Sequence, residues 1–167
     1  MKIAIVYFSQ SGRTKELAQA IEKGMKTVAD IETVMIDISE AENIRETLED
    51  CRGVVFGTPT YMTSISHQMM QFLQTMGSKL QLANKLGGGF ATAQYTHGGG
   101  DIAVSEILKV ILDFGMMVYS GGSSFGVPYI HLGPVAYGTT KEDQEKYLPL
   151  GEAYGYRFAT QCKRIFE

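Results

Sequence analysis

Tryptophan is absent from this chain, proline occurs only four times, and the two cysteines, Cys51 and Cys162, stand far apart with no C-x-x-C between them. With no indole, any flat aromatic ligand would have to be covered by tyrosines. No cysteines and histidines cluster at metal-ligand spacing, so no metal site is expected, and both thiols read as packed or half-buried side chains. A basic surplus is missing too. The formal charge is -3 and no lysine or arginine run occurs, which removes the electrostatic footprint of nucleic-acid binding. No apolar stretch is long enough for a membrane span or a signal h-region, since Met1 leads straight into a run over residues 3–8 only. The expectation is a cytoplasmic protein. What the chain does have, 44% hydrophobic residues in 167, suffices for the core of one domain over residues 1–167. The nine methionines fall mostly in amphipathic or strand-like stretches and read as core packing.

The order of elements is repetitive. Residues 3–8 form an apolar run, a loop follows, and residues 14–26 show helical spacing through Leu17, Ala18, Ile21 and Met25. A second strand is expected over 32–38 and a polar helix over 41–49. The third unit places a strand at 53–57, a loop at 58–64 and a helix at 66–77. The fourth places a strand at 86–93, a glycine-rich loop and a helix at 101–114. A fifth strand at 116–120 and a closing helix at 142–165 complete the series. Short apolar strands alternating with helices predict a doubly wound α/β fold, a parallel sheet covered by helices on both faces. Residues 121–140 do not fit the alternation; they are rich in glycine and aromatics and read as a lid or a contact surface.

Ligands of such sheets sit outside the carboxyl ends of the strands, where strand order reverses. After the first strand comes Ser9-Gln10-Ser11-Gly12-Arg13-Thr14, with hydroxyls and a glycine where a strand turns into a helix. Free backbone N–H groups and the positive end of the helix dipole make this an anion site, with Arg13 either adding charge at its rim or pointing into solvent. The loop is neither G-x-x-x-x-G-K-[ST] nor G-x-G-x-x-G, so a mononucleotide fits better than a nucleoside triphosphate or a dinucleotide. After the third strand, Pro59 stiffens a turn that carries Thr60, Tyr61 and Met62. After the fourth come Ala93, Gln94, Tyr95, Thr96, His97 and Gly98, where glycine permits close backbone approach. Two aromatic-bearing loops would thus flank one site. That arrangement suits an isoalloxazine better than a sugar.

These segments resemble the flavodoxin superfamily, and within it the WrbA-like NAD(P)H:quinone oxidoreductases. The likeness rests on S-x-S-G-x-T at 9–14, G-T-P-T at 57–60, Gly98-Gly99-Gly100 before the fourth helix, Phe114-Gly115-Met116 against that family's H-G-M, and Pro134-Val135-Ala136-Tyr137-Gly138-Thr139-Thr140 against its P-Y-G-A-T-T tail. The resemblance implies a flavodoxin-like five-stranded parallel sheet in the order 2-1-3-4-5. It implies FMN, with its phosphate on residues 9–14 and its ring between Thr60, Tyr61 and Met62 on one side and residues 93–98 on the other. It further implies two-electron reduction of a quinone by NADH or NADPH, and a homodimer or homotetramer. The chain departs from the pattern in lacking the long insertion before the third strand, in having Tyr61-Met62 in place of R-F, and in having Phe114 in place of a histidine.

A flavin carries its own electron chemistry, so the protein need only hold it, tune it and admit a partner. His97 is the candidate catalytic group, positioned to hydrogen-bond a substrate carbonyl or protonate a reduced quinone oxygen. His67 and His131 read as structural or surface residues; Tyr95, then Tyr61, are the ring-stacking candidates. A phosphoreceiver domain of the same architecture would need acidic residues where Ser9-Gln10 and Gly57-Thr58 stand. The two-electron oxidoreductase is the leading reading, because the mild net charge offers a carrier little steering toward a basic redox partner. A flavodoxin-type electron carrier and a non-enzymatic FMN-binding interaction module remain open beside it.

Overall fold

The computed structural model describes residues 1–40 and 42–167; Ala41, where the expected second helix begins, lies outside the described residues. The first apolar run forms β1 (Lys2–Tyr7), whose residues alternate between two cores because successive strand side chains point to opposite faces. Ile3, Ile5 and Tyr7 enter one core, Ala4 and Val6 the other. The chain continues through α1 (Arg13–Met25), β2 (Glu32–Asp37), α2 (Ile44–Glu49), β3 (Cys51–Tyr61), β4 (Ser64–Ile65), α3 (His67–Met76), β5 (Leu86–Ala93), α4 (Gly100–Asp113), β6 (Met117–Val118), β7 (Val135–Tyr137), α5 (Lys141–Glu145) and α6 (Leu148–Phe166).

The sheet runs β2-β1-β3-β5-β6, the expected 2-1-3-4-5 order once the two-residue β4 is set aside. Ile5 lies opposite Met35 on one side and Val55 on the other, both pairings parallel. On one face, Leu17, Ile21 and Met25 of α1 pack with Tyr154, Phe158 and Cys162 of α6 over Ile3, Ile5 and Val55. On the other, α2, α3 and α4 contribute Leu48, Met69, Leu73, Ile107 and Ile111 over Val54 and Phe56. Helices α1 and α6 approach closely because Gly24 and Gly155 face each other's backbones: a Cβ at Gly24 would strike the carbonyl of Glu152, and one at Gly155 that of Ile21.

Three elements differ from the sequence expectation. The third strand does not end at Gly57; it runs to Tyr61, because Thr58 and Pro59 pair with Ala91 and Thr92 and the chain then reverses onto β4. The fifth strand is not 116–120. Only Met117 and Val118 pair with the start of β5, at Leu86 and Gly87, and the same edge resumes at β7 opposite Ala91–Ala93. Residues 119–134 loop out between the two halves and are pinned by Arg157, whose guanidinium donates to the carbonyls of Gly121, Gly122, Gly126 and Pro128 at 3.0–3.4 Å. The closing helix is two helices. Thr140 caps α5 by accepting from the Asp143 N–H at 3.2 Å, and a second helix starts after Tyr147 with Pro149 in its first turn, where proline is tolerated.

Candidate functional site

A cleft of about 450 Å³ opens at the carboxyl ends of β1, β3 and β5, where strand order reverses. Its first wall is the β1–α1 loop. Gly12 takes a left-handed conformation (φ 87°) and sits at the N-cap of α1, with no side chain of its own to cap the helix. The Ser9 hydroxyl accepts from the Lys15 N–H at 3.2 Å. The first turn of α1 therefore keeps donors and a positive dipole end at the cleft. Thr14, buried, shares a 2.9 Å hydroxyl–hydroxyl hydrogen bond with Thr92 of β5, joining this wall to the cleft floor. Arg13 lines the cleft, and its guanidinium donates to the carbonyls of Gly138 and Thr139 at 3.1 and 2.7 Å.

The second wall is the end of β3. Its reversal onto β4 uses a two-residue turn, Met62-Thr63, with both residues at positive φ (49° and 65°), a conformation that costs non-glycine residues energy. Glu106 of α4 holds the far side of that turn, accepting from the Ser64 hydroxyl at 2.7 Å and the Ile65 N–H at 2.8 Å. Met62 is consequently 94% exposed, at the mouth of the cleft. Tyr61 reaches back across it, its phenol donating to the Gln10 side-chain carbonyl at 2.6 Å, and partial burial holds that phenol above its ordinary pKa. The Thr60 hydroxyl is shielded from solvent and has no partner among the described residues. The third wall follows β5, where a tight turn (Gly98 N–H to Tyr95 carbonyl, 2.8 Å) leaves Tyr95 64% exposed.

Of the residues expected at a site, Gln10, Ser11, Arg13, Thr14, Pro59, Thr60, Tyr61, Met62, Ala93, Gln94, Tyr95 and Gly98 line this cleft together. Ser9, Gly12, Thr96 and His97 do not line it; Ser9 and Gly12 shape the loop from behind, and Thr96 and His97 are exposed on the rim. Residues 121–140 contribute no lining residue to it. Two lining residues escaped the sequence reading. Thr92 was detectable as a hydroxyl inside an otherwise apolar strand, whereas Gln144 sits in the polar run Lys141-Glu142-Asp143-Gln144-Glu145, where nothing distinguishes it from its neighbours. Among the described residues no group of acidic, histidine or cysteine side chains could hold a metal ion, and no helix is long and apolar enough to cross a membrane.

With this geometry in place, the comparisons with known proteins point one way. The protein-family model described as "Flavodoxin domain" matches residues 4–97. A protein named flavodoxin from Clostridium saccharobutylicum is 37% identical over 99% of this chain and 100% of its own length. A protein named NAD(P)H dehydrogenase (quinone) from Cupriavidus metallidurans is 30% identical over 79% of this chain and 73% of its own. Among solved structures, the flavodoxin, WrbA-like protein from Agrobacterium tumefaciens superposes with a TM-score of 0.76 at 22% identity, covering 98% of both chains, a likeness of fold alone.

Proposed function

This chain belongs to the flavodoxin family, and from that premise we propose that it binds FMN and works as a flavodoxin-type electron carrier. The observation that carries the reading is the end-to-end match to the Clostridium flavodoxin, which spans all of both chains rather than the cofactor loops alone. It ranks the carrier above the quinone oxidoreductase that residue patterns and net charge favoured.

The cleft suits FMN. The buried hydroxyl of Thr60 and the carboxamide of Gln144 border it without a partner among the described residues, and α1 turns its amino end toward it. Ser11, Thr14 and the backbone of residues 11–14 would hold the phosphate; Thr60 and the residues after β5 would hold the ring edge; Tyr61 and Tyr95 would cover its faces. FMN, when bound, supplies the electron-transfer chemistry. The chain's part is to fix the phosphate end in a buried hydroxyl network, to keep water from the ring faces with two tyrosines, and to leave the mouth open beside Met62 and Tyr95 for a partner.

A second reading, two-electron NAD(P)H:quinone oxidoreductase, is favoured by relatives of that name at 30% identity. In it, His97 on the rim would donate a proton to a reduced acceptor. One experiment separates the two: the chain is loaded with FMN and NADH and NADPH oxidation is followed with and without a benzoquinone. The carrier reading expects bound flavin, nicotinamide oxidation at the background rate, and a dithionite titration in which electrons enter one at a time. Rapid quinone-dependent oxidation replaces it with the oxidoreductase; failure to bind FMN removes both. In either reading the cytoplasm is the proposed location.

A further inference from the structure

Gln144 is the one side chain in the cleft that comes from the last third of the chain, beyond the residues matched by the flavodoxin-domain model. It is 2% exposed, and neither its amide nitrogen nor its amide oxygen has a hydrogen-bond partner. A buried carboxamide stripped of water and left unpaired is costly, so such groups are rare unless something else satisfies them. Its neighbours Glu142, Asp143 and Glu145 are solvated or paired outward, as in the 3.1 Å ion pair of Asp143 with Lys146.

The position of α5 says which part of a ligand Gln144 would meet. Three ties clamp this helix onto the phosphate end of the cleft: the Arg13 hydrogen bonds to the carbonyls of Gly138 and Thr139, the 3.0 Å bond from the Gly138 N–H to the Ala93 carbonyl, and the 3.3 Å ion pair of Lys141 with Glu16 in the first turn of α1. Gln144 lines the same cleft as Ser11, Arg13 and Thr14, and these ties to Arg13 and Glu16 set its helix beside the first turn of α1. Arg13, meanwhile, spends two of its donors on backbone carbonyls. A carboxamide adds a further neutral donor beside an anion without a second charge.

We propose that Gln144 is a phosphate ligand, turning its side-chain N–H₂ into the cleft to donate to the phosphate monoester of FMN, with Arg13 acting as the strut that holds α5 in reach. This rests on the FMN reading above. The role also predicts a trade between the two forms of the protein. Without ligand, the unpaired carboxamide destabilises the chain; with ligand, it stabilises the complex.

The test compares the unaltered chain with Gln144→Leu and Gln144→Glu by two measurements: flavin affinity from fluorescence quenching, with FMN and with riboflavin, and thermal unfolding of the flavin-free protein. Gln144→Leu is expected to bind FMN about ten-fold more weakly, the loss expected for one hydrogen bond to a charged acceptor, while its flavin-free melting temperature rises. Gln144→Glu sets a carboxylate against the phosphate and is expected to lose about a hundred-fold. Riboflavin, which has no phosphate, is expected to bind all three chains within about two-fold of one another. Unchanged FMN affinity in a folded Gln144→Leu chain overturns the proposal, as does an equal loss for FMN and riboflavin, which would mark a packing role. If the unaltered chain binds riboflavin and FMN equally, the phosphate has no site and the proposal falls while flavin binding stands. If it binds neither, the FMN reading itself fails and takes this proposal with it.

Discussion

The two ends of the cleft are built on opposite principles. At the closed end, Thr14 and Thr92 meet in a buried hydroxyl pair, Arg13 straps the segment before α5 to the first loop, and Gln144 is almost wholly covered. At the mouth, Met62 and Tyr95 stand in solvent, and the chain reverses through two residues in left-handed conformations. The closed end is over-determined by contacts from β1, β5, α1 and α5; the open end is carried by one short turn and one exposed loop. A cofactor that must stay bound while exchanging electrons with a visitor needs this division of labour. Affinity should therefore reside at the closed end, and reactivity toward partners at the open one.

Substitutions can break or sharpen that contrast. The largest effect is expected for Thr14→Val, which removes both the hydroxyl proposed to hold the phosphate and the bond to Thr92; FMN affinity, followed by fluorescence quenching, should fall by about a hundred-fold, while riboflavin affinity falls much less. Next comes Tyr61→Phe, which cuts the 2.6 Å bridge to Gln10 but keeps the ring: a loss of about five-fold in affinity for either flavin is expected by the same titration. Replacing Met62-Thr63 by Asn-Gly should act in the opposite sense, relieving positive φ at both turn residues and stabilising the protein by about 1 kcal/mol in urea unfolding. An equal loss of stability would mean the Thr63 side chain holds the turn, through its 2.6 Å hydroxyl bond to the Met62 carbonyl, more than the relief of positive φ returns. His97→Ala, on the rim, is expected to change FMN affinity by less than about two-fold; a larger change would bring the histidine into the cleft.

A control lies at the amino end of the strands, away from both ends of the cleft. Burial pushes the Cys51 thiol up to about 11 and the Cys162 thiol to about 12, so neither should react with a thiol reagent in the folded protein near neutral pH. The sign of the linkage follows. Thiols freed by unfolding ionise from about pH 9, so the stability contributed by keeping Cys51 neutral is complete below that value and is lost as the pH rises through about 11. Urea unfolding across that range checks it.

Much of this organisation was legible in the chain itself. The fourth strand of the sequence reading coincides with β5, Leu86–Ala93, because a buried parallel strand is one unbroken run of small and apolar residues. The first loop declared itself through its hydroxyls and Gly12. The split edge strand did not, since Met117-Val118 and Val135-Ala136-Tyr137 are each too short to register as strands and owe their conformation to different halves of β5. The continuation of β3 through Pro59 was hidden for a related reason: proline reads as a turn, yet here it pairs at the end of a strand where the partner is Thr92. Gln144 could not be found from pattern at all, because its burial depends on how α5 is strapped down by residues more than a hundred positions away.

The divided edge also bears on how the protein behaves at high concentration. An uninterrupted outer strand exposes a ladder of unpaired amides that invites another molecule's strand. Here the outer side of β5 is occupied by β6 at one end and β7 at the other, and the backbone of Gly133 crosses close against the Gly89 carbonyl between them. Neither outer piece is longer than three residues, and the loop joining them bulges away under the grip of Arg157. This margin gives a neighbouring strand too few amides in a row to zip onto, which leaves the six-residue β2 at the opposite margin as the longer open edge.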